Sequence, residues 1–149
     1  MSGLEAVAFI LNATDTSYKV IAAALEYEQK VRTAKTCSEN IRSEVLEITK
    51  LLDDLHLRAR KAEESDDGSH IQQWTSLRDL DCNDSPVSQI RMELNTILGL
   101  LTTQKMSKIE QLLWPRKLKK VEKSMQSIVK QKKRLSDKMK IDTGSVMII

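Results

Sequence analysis

The side chains able to do covalent chemistry are few. His56 and His70 are the candidates for a general base, and Cys37 and Cys82 for a thiolate nucleophile. Nucleophilic catalysis requires a base within reach of the nucleophile and a third group to orient that base. His56 sits among leucines in a heptad pattern and His70 follows a polar loop, and neither has a Ser or Cys partner suggested by spacing. Asp53-Asp54 and Asp66-Asp67 are adjacent pairs, and on a helix neighbours at i and i+1 do not face one another, so no acid/base couple is implied. No C-x-x-C, H-E-x-x-H or EF-hand spacing offers a metal site, and no phosphate-binding glycine loop or dinucleotide fingerprint occurs. The residues therefore read as a non-enzymatic protein with no catalytic residue, metal, cofactor or small-molecule substrate.

Charge is the remaining chemical resource, and it is unevenly placed. The net +3 conceals eleven Lys/Arg against Glu122 and Asp137 in residues 115–140, a local +9, beside 13 basic and 18 acidic residues in 1–114, a local −5. A basic end on an acidic body points to an anionic partner, a membrane surface or the body itself. Lys130, Lys132, Lys133, Arg134, Lys138 and Lys140 are the candidate contacts for an anionic surface. An anionic membrane suits them better than nucleic acid, because base recognition normally adds aromatic stacking platforms and only Trp114 lies nearby.

The elements that position these groups read as helices. An aromatic share of 3%, four Gly and two Pro leave a core of Leu, Ile, Val, Ala and Met, which predicts an all-α fold: an antiparallel bundle of four main helices plus a short docking helix, in one domain over 1–140 with a disordered tail at 141–149. A first helix from Ser2 to about Glu28 opens on a Ser2/Glu5 capping box and aligns Leu4, Val7, Leu11, Tyr18, Ile21 and Leu25 on one stripe. Its stretch from Ala6 to Leu11 is apolar all round, which suits burial or a lipid interface.

A second helix keeps a seven-residue repeat from Val31 to Ala62, with Leu46, Leu51 and Leu57 widening its face. Ile71, Trp74, Leu77 and Leu80 suggest the docking helix, with Trp74 as its anchor. Ser85-Pro86 opens a third helix, in which Gly99 suggests a close crossing. Trp114-Pro115 reads as the entry to the fourth, whose stripe of Trp114, Leu118, Val121, Met125, Ile128, Leu135 and Met139 is broken by Lys132. That break divides a bundle-closing part from a freer basic part. Two cysteines 45 positions apart, with no leader pattern, suggest reduced thiols and a cytoplasmic location, with peripheral contact at the plasma membrane as the extension of that reading.

Four features taken in order resemble the N-terminal helical domains of fungal STAND proteins, NLR-like receptors that carry a NACHT or related NTPase module. They are Met1-Ser2-Gly3-Leu4-Glu5-Ala6-Val7-Ala8, Asp15-Thr16-Ser17-Tyr18-Lys19-Val20-Ile21, the loop around Trp74 with Leu77, and Leu113-Trp114-Pro115 leading into a basic amphipathic helix. They span about residues 1–138. The resemblance implies a HeLo-like signalling bundle in self/non-self recognition and regulated cell death, acting by oligomerisation and membrane association. Carried onto this chain, the membrane or partner face would be Leu4, Val7, Phe9, Ile10 and Leu11. Partners would be another protein, or a second copy, bound through helix faces, the heptad surface of 31–62 serving a scaffold without membrane activity. The chain departs from the pattern by ending at Ile149 without an NTPase module, as expected of a free-standing paralogue, a fragment or a truncated product.

Overall fold

The computed structural model describes residues 2–64 and 74–148, with side chains through Thr143. The described residues form four α-helices and no strand: α1 (Gly3–Lys30), α2 (Lys35–Glu64), α3 (Pro86–Leu101) and α4 (Ser107–Ile148). Each start has a local cause. Ser2 accepts from the Glu5 N–H while Glu5 reaches back to the Ser2 N–H, closing the expected capping box. Ser85 caps α3 by accepting from the Ser88 N–H, with Pro86 in the first turn. Between α1 and α2 the chain reverses through Val31 and a 3₁₀ turn, Arg32–Ala34.

Helices consecutive in the chain run antiparallel. Ser17 lies beside Thr49 and Ser38 beside Ala24 along α1/α2, and Lys117 meets the Leu100 carbonyl while Arg134 meets that of Asp84 along α3/α4. Around the bundle the order is α1, α2, α4, α3, so the link from α2 to α3 crosses a diagonal and the neighbours α2 and α4 run parallel. Of these seams the one between α2 and α4 is the sparsest. The core is continuous through Ile10, Ile41, Ile48, Leu52, Leu94, Ile97, Ile128 and Leu135, all fully buried.

Several elements differ from the sequence expectation. α4 begins at Ser107, so Pro115 lies inside it and gives up its bond to the Gln111 carbonyl, a defect of about 3 kcal/mol in an ordinary helix interior. Contacts on the preceding turns hold the helix through it: the Ser107 hydroxyl donates to the Lys30 carbonyl at 2.6 Å, and buried Trp114 lies 5.4 Å from the Tyr27 ring. At its other end α4 continues past residue 140, where a tail was expected, as far as Ile148. Buried Asp142 anchors this stretch by accepting from the Thr75 N–H at 2.6 Å and from the N–H and hydroxyl of Ser76.

The described part of the expected docking helix, Trp74 to Cys82, is a run of turns; Ile71 lies outside the described residues. Leu77 and Leu80 are buried as the docking reading requires, and half-buried Trp74 lies under the Arg58 guanidinium at 5.8 Å. Gly99 is exposed with nothing near it, so it marks no helix crossing. The close crossing is at Gly3, where an added Cβ would meet the Glu63 Cβ at 2.8 Å.

Candidate functional site

α1 carries two apolar stripes, and the less hydrophobic one faces the core. Ala6, Ile10, Ala13, Ser17, Val20, Ala24 and Tyr27 are buried against the bundle. Small side chains let α1 and α2 approach closely. They also allow direct polar links across the seam: Ser17 and Thr49 hydroxyls stand 2.8 Å apart, and the Ser38 hydroxyl donates to the Ala24 carbonyl at 2.8 Å.

The larger stripe therefore points to solvent. Leu4, Leu11, Tyr18 and Leu25 are 67%, 48%, 54% and 44% exposed at intervals of seven residues, a ridge about 31 Å long. Sequence spacing had aligned these four with Val7 and Ile21 on one stripe, and of the six Val7 and Ile21 pack partly against the core. The expected face of Leu4, Val7, Phe9, Ile10 and Leu11 is thus not one face. Leu4 and Leu11 project outward, Val7 and Phe9 pack partly into the core, with Arg91 4.7 Å above the Phe9 ring, and Ile10 is fully buried. The clue lay in the second heptad, Ala6, Ala13, Val20 and Tyr27 beside Ile10, Ser17 and Ala24, whose small residues suit a tight helix pair.

The heptad of α2 is internal. Ile41, Val45, Ile48, Leu52, Leu55 and Ala59 are all buried, so this surface has no room for the partner that the scaffold reading assigned to it. Leu46 and Leu57 face solvent instead of widening it.

On α4 the division between core and charge runs around the helix and not along it. Leu135 and Met139 are buried beyond Lys132, so the last turns pack as the first do. Lys132 itself bridges to α2, donating to Glu44 at 2.7 Å and Glu47 at 2.6 Å. Burial works against its charge, but the hydrogen bonds and charges of the two glutamates outweigh burial and raise its pKa. Arg134 is also engaged, donating to Gln131 Oε1 at 2.6 Å and to the Asp84 carbonyl at 3.2 Å. Lys130, Lys133 and Lys140 are exposed and Lys138 is half-buried, and none of the four makes an ion pair among the described residues.

Sequence reasoning missed Glu110. It is fully buried one turn before Trp114, and accepts from the Tyr27 hydroxyl at 2.6 Å, the Thr103 hydroxyl at 2.7 Å and the Lys117 ammonium at 2.9 Å. Burial alone would push this carboxyl up. The hydrogen bonds from Tyr27, Thr103 and Lys117, with the Lys117 charge, prevail and hold it down at about 2. Burial pushes the Tyr27 phenol up, and its bond to Glu110 and the adjacent negative charge push it further. One carboxylate thereby ties the end of α1, the loop after α3 and the start of α4. A lone glutamate in a lysine-rich stretch gives no signal of this in sequence.

Beside this clasp opens a groove of about 610 Å³ between α2 and α4. Trp114, Leu118, Met125 and Val129 line it from α4, and Thr36 and Cys37 from α2. Cys37 is half-buried there, and burial and then nearby Glu122 raise its thiol pKa, so it is no activated nucleophile. Cys82 lies elsewhere, exposed among Asp79, Asp81 and Asp84, and both cysteines are free thiols. Among the described residues no group of His, Cys, Asp and Glu is placed to hold a metal ion, and no helix is long and apolar enough to cross a membrane. No known protein family, curated protein or solved structure matches this chain.

Proposed function

We propose that this chain is a non-enzymatic signalling or effector domain that acts by self-association and by contact with an anionic membrane. This is the role implied by its resemblance to the N-terminal domains of fungal NLR-like receptors, in self/non-self recognition or regulated cell death. The observation that carries the reading is the outward ridge of Leu4, Leu11, Tyr18 and Leu25. Four large apolar side chains turned to solvent on a helix already buried by its other face have no use in holding the bundle together, and clustered exposed apolar side chains mark interaction sites. The basic outer face of α4 supplies a second surface, on which each lysine near an anionic bilayer contributes on the order of 1 kcal/mol.

Ridge and basic face sit at opposite corners of the bundle, since α1 is adjacent to α2 and α3, and α4 lies across from it. A closed bundle can therefore present lysines to a membrane while its ridge meets protein. Co-sedimentation with anionic and neutral vesicles tests the membrane part. Wild type should pellet with anionic vesicles and release as salt rises, and Lys130→Glu/Lys133→Glu/Lys140→Glu should lose most binding. Equal binding by both proteins refutes contact through the basic face, and no binding to anionic vesicles refutes membrane contact. The groove between α2 and α4 favours the second reading, a helical interaction scaffold without membrane activity, which survives that outcome.

A further inference from the structure

The groove between α2 and α4 is apolar at its floor and acidic on its walls. Leu118 and Met125 are half-buried against the core, and exposed Glu122 stands between them on the same side of α4, one helical turn from each. Glu44 is the other charged residue of the lining, and no lysine or arginine is among the described residues that form it. Glu44 is already engaged. Lys132 brings one positive charge to it at 2.7 Å and to Glu47 at 2.6 Å, so that end of the groove keeps a net negative charge. Glu122 makes no ion pair among the described residues. Burial and then the Glu122 charge raise the thiol of Cys37 on the facing helix, as expected of a carboxylate turned toward the opening. An unpaired carboxylate beside an apolar floor is complementary to a cation with an apolar body.

The shape of the space favours a small molecule over a protein segment. At about 610 Å³ it falls within the roughly 300–1,000 Å³ of small-molecule sites, which are mostly apolar with a few polar groups that fix orientation. Asn40 on α2 and Gln126 on α4 are such groups here. The Lys132 bridge crosses the seam one turn beyond Val129 and closes that end, so a bound helix has no way through. We propose that the groove binds a small organic cation, its alkyl or ring part laid on Leu118 and Met125 and its ammonium group against Glu122. The ligand is held and not turned over, because no histidine is among the described lining residues and the Cys37 thiol is not activated. A molecule touching both helices there strengthens the sparsest seam of the bundle. The site depends neither on membrane contact nor on the α1 ridge.

Tryptophan fluorescence of the full chain tests this, because Trp114 lines the groove and Trp74→Phe leaves it as the sole tryptophan. The probes are octylamine, octanol, octanoate and hexylamine at neutral pH, titrated into that protein and into the same protein carrying Glu122→Gln or, as a control outside the groove, Glu39→Gln. Both glutamates are exposed, and circular dichroism checks that each variant remains folded. Octylamine should bind about fivefold tighter than octanol, the size of one solvent-exposed charge pair, and octanoate should bind more weakly than either. Hexylamine should be weaker than octylamine by about tenfold, since two fewer methylenes are buried. Glu122→Gln should bring octylamine down to the affinity of octanol and leave octanol unchanged, and Glu39→Gln should leave both as they were. Equal binding of octylamine and octanoate, or indifference of octylamine to Glu122→Gln, overturns the cation assignment. No response to any of the four probes overturns the site, and a response only to an amphipathic helical peptide of leucine and lysine would assign the groove to a protein segment instead.

Discussion

Replacing Glu110 by Gln removes one charge from the clasp that joins α1, the loop after α3 and α4, and keeps the side-chain shape. The carboxyl stands at about 2 in the folded protein against an ordinary 4.5. At about 1.4 kcal/mol for each pH unit, that difference amounts to about 3 kcal/mol of folding stability. Its sign follows from the direction of the shift. A depressed carboxyl stabilises the fold in full above its unfolded pKa, and the contribution fades as pH falls through about 4.5 toward 2. The amide of Gln resembles the protonated acid, so the variant lacks this contribution at every pH.

The assay is urea unfolding of wild type and Glu110→Gln at a series of pH values from 7 to 2.5, followed by helical circular dichroism. At neutral pH the variant should be less stable by about 3 kcal/mol, the size expected when one partner of a buried ion pair is removed. As pH falls, other carboxylates lower the stability of both proteins, but the gap between them should narrow toward zero. A gap that stays constant across the series, or is absent at pH 7, would refute the account of Glu110 as an ionised clasp.

Two further substitutions probe the fold. Gly99→Ala should raise stability by about 1 kcal/mol, because Gly99 sits in α3 facing open space and an alanine there lowers only the entropy of the unfolded chain; a loss in the same urea assay would mean that the backbone there needs glycine. Ile10→Ala should cost about 3 kcal/mol and Leu11→Ala under about 1 kcal/mol, since the first is fully buried and the second half exposed. Equal costs at these adjacent positions would show that the assigned register of α1 is wrong.

The fold class and the α2 register were legible because α2 has only one apolar stripe, and every position of its repeat from Ile41 to Ala62 is buried. α1 was misread because it has two. Side-chain hydrophobicity favours Leu4, Leu11, Tyr18 and Leu25, whereas close approach to α2 favours Ala6, Ala13, Ser17 and Ala24, and the second requirement prevails because it brings two backbones together along the whole pair. Pro115 was misread because the preference for the first helical turn is local, and the contacts that carry α4 through it come from Tyr27 and Lys30 on another helix. The end of α4 was missed for the same kind of reason. Asp142-Thr143-Gly144-Ser145 has the composition of a helix stop, but Thr75 and Ser76, far away in sequence, hold Asp142 in place. Local rules found the helices; partners distant in the chain decided their ends and their faces.

The groove between α2 and α4 follows from the same competition. Small residues draw α2 against α1, and Val121, Ile128 and Leu135 seat α4 in the core, so neither helix is free to close on the other. What spans the gap is polar and sits at one end, where Lys132 of α4 reaches Glu44 and Glu47 of α2. Had the seam been meant to close, the economical solution would be the one used between α1 and α2, small residues facing each other across it. Instead α4 offers Trp114, Leu118 and Met125 to the opening, side chains too large for a tight pair and left half covered except for the tryptophan. Lys132 bridges the seam at that end, and the apolar stretch from Trp114 to Met125 stays open beside it.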